Sequence, residues 1–274
     1  MTSHTPTHTH LSLEFGAVLK RTVTRFEKIF LPMLALFAVT LLALGASVLA
    51  IIAITWGLYT ILPTGPVIMA TLVTFVAIAV LFVLYAILSV TIMNVRILEK
   101  PTFDFLPLFK RSYKQIFPVF TILLVTGLGE LGGYVLGILP GIWLAIVLSF
   151  VTFIAVFEDK GLNHTISKSA HLVKDDFWNV FAFALFSVLG ALVLSIIPFV
   201  GSIFQVVFGI FTYALTYELY KTLEHNKGAG SDTTHYNKNI VLVTKLFAVC
   251  ALLALIILSL VFAAFLAGAI TETI

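Results

Sequence analysis

Seven long apolar runs divide this chain so that every lysine and arginine falls in alternate gaps between them. The runs cover roughly 30–62, 66–95, 117–138, 140–157, 177–197, 201–220 and 246–269. Ahead of the first run stand Lys20, Arg21, Arg25 and Lys28, and between the second and third stand Arg96, Lys100, Lys110, Arg111 and Lys114. Lys160, Lys168 and Lys174 separate the fourth from the fifth, and Lys221, Lys227, Lys238 and Lys245 separate the sixth from the seventh. These are all 16 basic residues of the chain. Basic loops resist translocation and stay cytoplasmic, so a complete partition predicts seven spans, with the N-terminus inside and the C-terminus outside the cytoplasmic membrane.

Composition narrows the class further. Residues are 60% hydrophobic and 11% charged, against roughly 45–50% and about 25% in soluble domains. Seven spans use most of 274 residues, which leaves no room for a soluble catalytic domain. The basic surplus on the inner side suits anionic lipid headgroups. The basic residues follow the topology, so no nucleic-acid partner is expected. Cys250, the single cysteine, lies inside the last run and predicts neither an intrachain disulfide nor a cysteine metal site. Residues 1–10 read as a disordered polar tail. Apolar sequence continues past Ala46-Ser47-Val48-Leu49-Ala50, so the first run reads as an uncleaved span.

Three outer turns share a pattern: Ile61-Leu62-Pro63-Thr64-Gly65, Ile138-Leu139-Pro140-Gly141 and Ile196-Ile197-Pro198-Phe199-Val200-Gly201. Proline stops a helix and glycine permits reversal, so each predicts a tight turn between two spans. The inner segment before each hairpin carries a basic residue followed by a hydroxyl, as Arg21-Thr22, Arg111-Ser112 and Lys168-Ser169. The fold expected is therefore all-α: three hairpin units, each preceded by an interfacial amphipathic helix, over a six-span domain at 11–222. A cytoplasmic linker at 223–245 and the seventh span with its outer tail at 246–274 follow. In 11–30, Phe15, Val18, Leu19, Val23, Phe26, Ile29 and Phe30 keep helical spacing on one face. Phe105, Leu108, Phe109, Ile116 and Phe117 do so in 105–117, and Leu162, Ile166, Val173 and Phe177 in 162–177. Asn163 is the expected N-cap of the last, and Glu158-Asp159 would favour its N-terminus electrostatically. Pro118 suits the first turn of the third span. Trp56, Tyr59, Tyr134 and Trp143 fall near the outer interface and Trp178 near the inner one.

Pro140-Gly141-Ile142-Trp143-Leu144-Ala145, Ser149-Phe150, Glu158, Gly161, Ser169, Leu172-Val173-Lys174 and Phe177-Trp178 together resemble the membrane domain of glycerophosphoryl diester phosphodiesterases, in its stand-alone form. The resemblance covers about 11–222, is most specific over 140–178, and extends to Tyr217–Leu223. The chain departs from the pattern at Val147, where members often carry a basic residue, and at Asp175-Asp176, which replaces a small turn. A seventh apolar run follows where the founding proteins carry their phosphodiesterase domain. The resemblance implies a multi-helix membrane domain and no phosphodiesterase activity.

Glu130, in Gly127-Leu128-Gly129-Glu130-Leu131-Gly132-Gly133, is the sharpest candidate for chemistry. A charge within a span costs about 2.5–3.5 kcal/mol on insertion scales, so it should face protein or water, or be protonated. The glycines would let another helix approach closely. His4, His8 and His10 belong to the polar tail. His164 and His171 read as solvated interfacial histidines, because a ligand pair needs i, i+4 spacing or a third partner. Ser167 and Ser169 lack a nucleophile-elbow context. The expected function is non-catalytic: an integral membrane protein organising lipid or a partner at the cytoplasmic surface, without metal or cofactor. Lys20, Arg21, Arg25, Lys28, Lys110, Arg111, Lys114, Lys168 and Lys174 would contact lipid headgroups. Expected partners are anionic membrane lipids, and a membrane protein or a second copy of the chain. The alternative is a transporter or lipid translocase with Glu130 in its pathway.

Overall fold

The computed structural model describes residues 13–61, 66–102, 104–197, 200–227 and 238–271. The polar tail with His4, His8 and His10, the turn residues Pro63 and Pro198, and the linker at 228–237 lie outside the described residues. Among the described residues all regular secondary structure is helical: α1 (Phe15–Ile61), α2 (Pro66–Glu99), α3 (Phe105–Leu136), α4 (Ile138–Val147), α5 (Val151–Glu158), α6 (Leu162–Lys174), α7 (Phe177–Ser195), α8 (Val200–Lys227) and α9 (Lys238–Thr271). Among the described residues seven stretches are long and apolar enough to cross a membrane: Phe15–Ile54, Ala77–Glu99, Phe105–Leu136, Ile138–Glu158, Phe177–Ser195, Gly201–Lys227 and Lys238–Ala264. Their large side chains stay outward, as at Leu42, Leu81, Leu192 and Leu258. Soluble monomers rarely leave such continuous apolar faces uncovered. The chain is a multi-pass helical membrane protein.

Local structure departs from the expected hairpin units in ways that follow from the cost of unpaired backbone in lipid. The first two amphipathic segments are not separate helices. α1 runs unbroken from Phe15 through Pro32 to Ile61, and α3 from Phe105 through Pro118 to Leu136. A proline inside a helix forfeits one intrahelical bond, whereas ending the helix exposes several groups at each terminus. Only the third segment forms its own helix, α6, because Asp175 and Asp176 close it before α7 begins. The second reversal falls at Gly137, whose φ of 153° favours glycine, and Pro140 sits in the first turn of α4. Glu158 ends α5, and Asp159 caps it in the left-handed conformation with φ 49°. Neither acid therefore opens α6. Its N-cap is Gly161, and Asn163 lies one residue inside the helix.

The fourth span is broken between α4 and α5. The Val147 carbonyl loses its helical donor there, because the Val151 N–H turns to Leu148 O at 3.0 Å. Ser169 of α6 replaces it, donating its hydroxyl to Val147 O at 2.7 Å and accepting from the Phe150 N–H at 3.4 Å. Thr22, Ser112 and Ser169, the hydroxyls of the three shared dipeptides, are all fully buried. Thr22 and Ser112 instead donate to their own helices, at Val18 O and Leu108 O, each at 2.9 Å.

By its internal contacts the chain forms two compact units. One spans Val23–Phe117: α2, most of α1 and the start of α3. Ile29, Met33, Ile92, Met93, Ile97 and Leu98 are buried in it. Two guanidiniums fasten its chain segments, Arg25 donating to Leu98 O at 2.7 Å and Arg96 to Gln115 Oε1 at 2.6 Å. The other unit joins the described residues up to Thr22 to those from Pro118 onward. In it α6 packs against α4, α5, α7, α8 and α9, burying Thr165, Ile166, Ser167, Ser169, Ala170, Leu172 and Val173. The third amphipathic segment is thus an internal strut. α9 belongs to this same unit, so the seventh span is packed on α6 and on α3 of that unit. Gly133 meets Gly141 of α4, Gly132 meets the backbone of α9 at Phe247, and Gly129 meets Thr244.

Candidate functional site

Where α5, α6 and α8 converge, charged groups gather in a partly buried cluster. The left-handed residue Asp159 lets the chain turn back from α5 into α6. Helical spacing then places His164 and Lys168 on one face of α6, and Tyr220 and Glu224 on one face of α8. The Lys168 ammonium donates to the Glu158 carboxylate and, at 3.0 Å, to Glu224 Oε1. His164 Nε2 lies 2.7 Å from Glu158 Oε2. Tyr220 donates its hydroxyl to Glu224 Oε1 at 2.8 Å, and Lys221 Nζ donates to Glu224 Oε2 at 2.9 Å. Lys160 stands 3.9 Å from Glu158. The side chains of Lys168, Glu158 and Glu224 are 13%, 17% and 16% exposed. Burial alone would pull the Lys168 pKa down, but hydrogen bonds to Glu158 and Glu224 outweigh it and hold the amine above the usual lysine value.

Below the charges lies an aromatic layer. Phe153 stacks on Tyr220 with ring centroids 5.7 Å apart and meets Tyr217 edge-on, while Phe157 also stacks on Tyr220. Lys221 sits over the rings of Phe157 and Tyr220 at 5.5 and 5.3 Å. A second tie joins the end of α8 to the α6–α7 junction, where Lys227 donates to His171 O at 3.0 Å and to Asp175 at 3.1 Å. That hydrogen bond keeps the Asp175 carboxyl below its usual value.

The cluster is close to self-neutralising, and it joins three helices. Its acids are already hydrogen-bonded to lysine, tyrosine or histidine, so none is poised as a general base. Ser169 is committed to the break in the fourth span. Among the described residues no group of three or more His, Cys, Asp or Glu could hold a metal ion. The arrangement clamps the α5–α6 turn to α8.

This geometry redistributes the expected headgroup residues. Lys168 is partly buried, with its ammonium hydrogen-bonded to the Glu158 and Glu224 carboxylates. Arg21 is partly buried and donates to Thr222 Oγ1 at 3.1 Å, and Arg25 is bound to Leu98 O. Lys20, Lys28, Lys110, Arg111, Lys114 and Lys174 are exposed. His164 is 15% exposed and paired with Glu158, so it is not solvated, whereas His171 is exposed. Glu130 is half-buried in α3, about 9 Å before the helix ends at 1.5 Å per residue. It makes no hydrogen bond or ion pair among the described residues. Gly129, Gly132 and Gly133 beside it are occupied by close contacts with α4 and α9. Glu158, Glu224 and Tyr220 were missed as a set. The i, i+4 spacings of His164 with Lys168 and of Tyr220 with Glu224 are visible in the sequence, but which helices meet is not. The chain matches no known family model, and neither a curated protein nor a solved structure matches it.

Proposed function

We propose that this protein is a non-catalytic component of the cytoplasmic membrane that organises anionic lipid, or a partner, at the inner face. The reading is carried by how the cations are divided. Those inside are spent on protein partners, whereas Lys28 on α1, Lys110, Arg111 and Lys114 on α3, and Lys174 on α6 are exposed. Exposed lysines beside apolar faces suit phosphate headgroups. The likeness of 140–178 to a stand-alone membrane domain agrees with this reading and brings no phosphodiesterase chemistry with it.

Two measurements test it. Reporter fusions after Lys227 should read cytoplasm and fusions after Ile274 the outer side; both on one side would overturn the orientation. The full chain in detergent should retain anionic phospholipid over zwitterionic phospholipid several-fold, with salt weakening the preference. Changing Lys110, Arg111 and Lys114 together to Glu should reduce that preference. Equal retention of both lipids by the native chain would overturn the lipid role.

A second reading, a transporter or lipid translocase, is favoured by one observation, the unpaired half-buried Glu130 in a span. In that case Glu130→Gln leaves the protein folded and inserted but abolishes a pH-dependent flux in proteoliposomes, because Gln keeps the shape without carrying a proton. A variant indistinguishable from the native chain would remove this reading.

A further inference from the structure

The start of α3 has two unlike sides. At 3.6 residues per turn, Leu106, Lys110, Tyr113, Lys114 and Phe117 fall within about 100° of arc. All five are exposed, Leu106 by 63%, Tyr113 by 64% and Phe117 by 77%. Ser112 and Val119, on the opposite side, are fully buried. Arg111 lies about 60° round from Lys114 and is exposed as well. Leu108, Phe109 and Ile116, expected to face lipid, are half-buried, so the outward stripe is basic and aromatic instead. Three cations thus stand within the five residues 110–114, and no acid occurs between Phe105 and Phe117. Lys168, Lys221 and Lys227 each hold a carboxylate. Lys110, Arg111 and Lys114 make no hydrogen bond or ion pair among the described residues.

Depth and charge say what meets this side. From Phe117 to Leu136, where α3 ends, the helix rises about 28 Å at 1.5 Å per residue, close to the roughly 30 Å of a bilayer's hydrocarbon core. Phe117 then marks the inner edge of that core, where aromatic side chains gather. Lys114 lies about 4–5 Å beyond the edge and Lys110 about 10 Å, across a headgroup layer about 5–8 Å deep. Lysines four apart on a helix have Cβ atoms about 5–6 Å apart, and like charges so placed repel. Their flexible stems let both ammoniums reach one phosphate lying between them. A phosphodiester brings that pair a single negative charge, whereas a phosphomonoester brings about 1.5–2 and three free oxygens. The monoester matches the pair better in charge and in acceptors. We infer that Lys110 and Lys114 hold the headgroup of a phosphomonoester lipid, of the phosphatidic acid class, with Tyr113 and Phe117 at the interface beside it. The inference rests on the anionic-lipid function proposed above and names the headgroup it favours.

The purified full chain in detergent is offered equal amounts of phosphatidic acid, phosphatidylglycerol and phosphatidylcholine, and bound lipid is counted by native mass spectrometry. At about pH 8, phosphatidic acid should be retained at least three-fold over phosphatidylglycerol. That ratio should fall toward one as pH drops below about 6, where the monoester takes up its second proton. Changing Lys110 and Lys114 together to Gln should lower phosphatidic acid retention at least three-fold. Both lysines are exposed and unpaired, so thermal unfolding in lipid-free detergent should not move. Lys28→Gln with Lys174→Gln removes the same charge from two other exposed sites and should change retention less than two-fold. A loss as large in that control overturns the site in favour of diffuse surface charge. A preference for phosphatidic acid that survives the Lys110 and Lys114 double variant overturns the α3 site. Equal retention of phosphatidic acid and phosphatidylglycerol, both above phosphatidylcholine, overturns the monoester and leaves the anionic-lipid function standing. Equal retention of all three overturns both. Glycerol 3-phosphate in excess should leave phosphatidic acid bound, because it has no acyl chains, and full displacement would overturn a lipid as the occupant.

Discussion

Lys168→Met should lower the unfolding free energy, measured by denaturant titration in mixed micelles, by about 3–5 kcal/mol, the usual cost of removing one partner from a buried ion pair. The variant preserves most of the side-chain length, so packing on α6 changes little. It leaves Glu158 with His164 and the more distant, exposed Lys160, and Glu224 with Lys221 and Tyr220 alone. Adding Glu158→Gln should restore part of the loss, because a neutral amide carries no uncompensated charge, whereas a merely mispacked variant would not be rescued. A loss under about 1 kcal/mol would mean that the cluster is hydrated and weak, like a surface pair. The sign of the pH dependence follows from the raised Lys168 pKa. The lysine's contribution is fully present below the ordinary lysine value and is lost only as pH rises through the raised one. The difference between native and variant should therefore stay flat between about pH 7 and 9.

The second large effect is expected at Gly132. A methyl group added there would run into the main-chain carbonyl of Phe247 on α9. Backbone cannot step aside as a side chain can, so α3 and α9 would have to separate. Overpacking typically costs about 1–3 kcal/mol, and Gly132→Ala should lie at the top of that range, near 3. Gly127 provides the control, because nothing lies within 4 Å of a methyl placed there. Gly127→Ala should be neutral or slightly stabilising, since alanine favours helix over glycine by about 1 kcal/mol. Equal effects at the two positions would mean that the α3–α9 seam is not tightly closed. At Gly141 the obstruction is the ring of Tyr134, a side chain that can rotate, so a smaller cost is expected there.

The helical class and the candidate spans were legible in the residue order because lipid leaves a chain little choice. An apolar run such as 246–269 can satisfy its backbone groups only within itself, so its length and composition decide that it is a helix. The same cost explains why Pro32 and Pro118 failed to end their helices, although proline ordinarily marks a boundary in water. The buried hydroxyls of Thr22, Ser112 and Ser169 could be picked out as a pattern, but not what they do. Two donate within their own helix, and Ser169 repairs a break in another.

Tertiary structure alone decided the remainder. Lys168 looks in sequence like any interfacial lysine, and it turns inward only because Glu158 and Glu224 arrive from α5 and α8. The glycines at 129, 132 and 133 announced that something would come close, but not that α9 and α4 would be the helices to do so. Hydrophobic run length is a property of one segment, and a sequence states it directly. Ion pairing and glycine seams are properties of which faces meet, and only the assembled helices decide them.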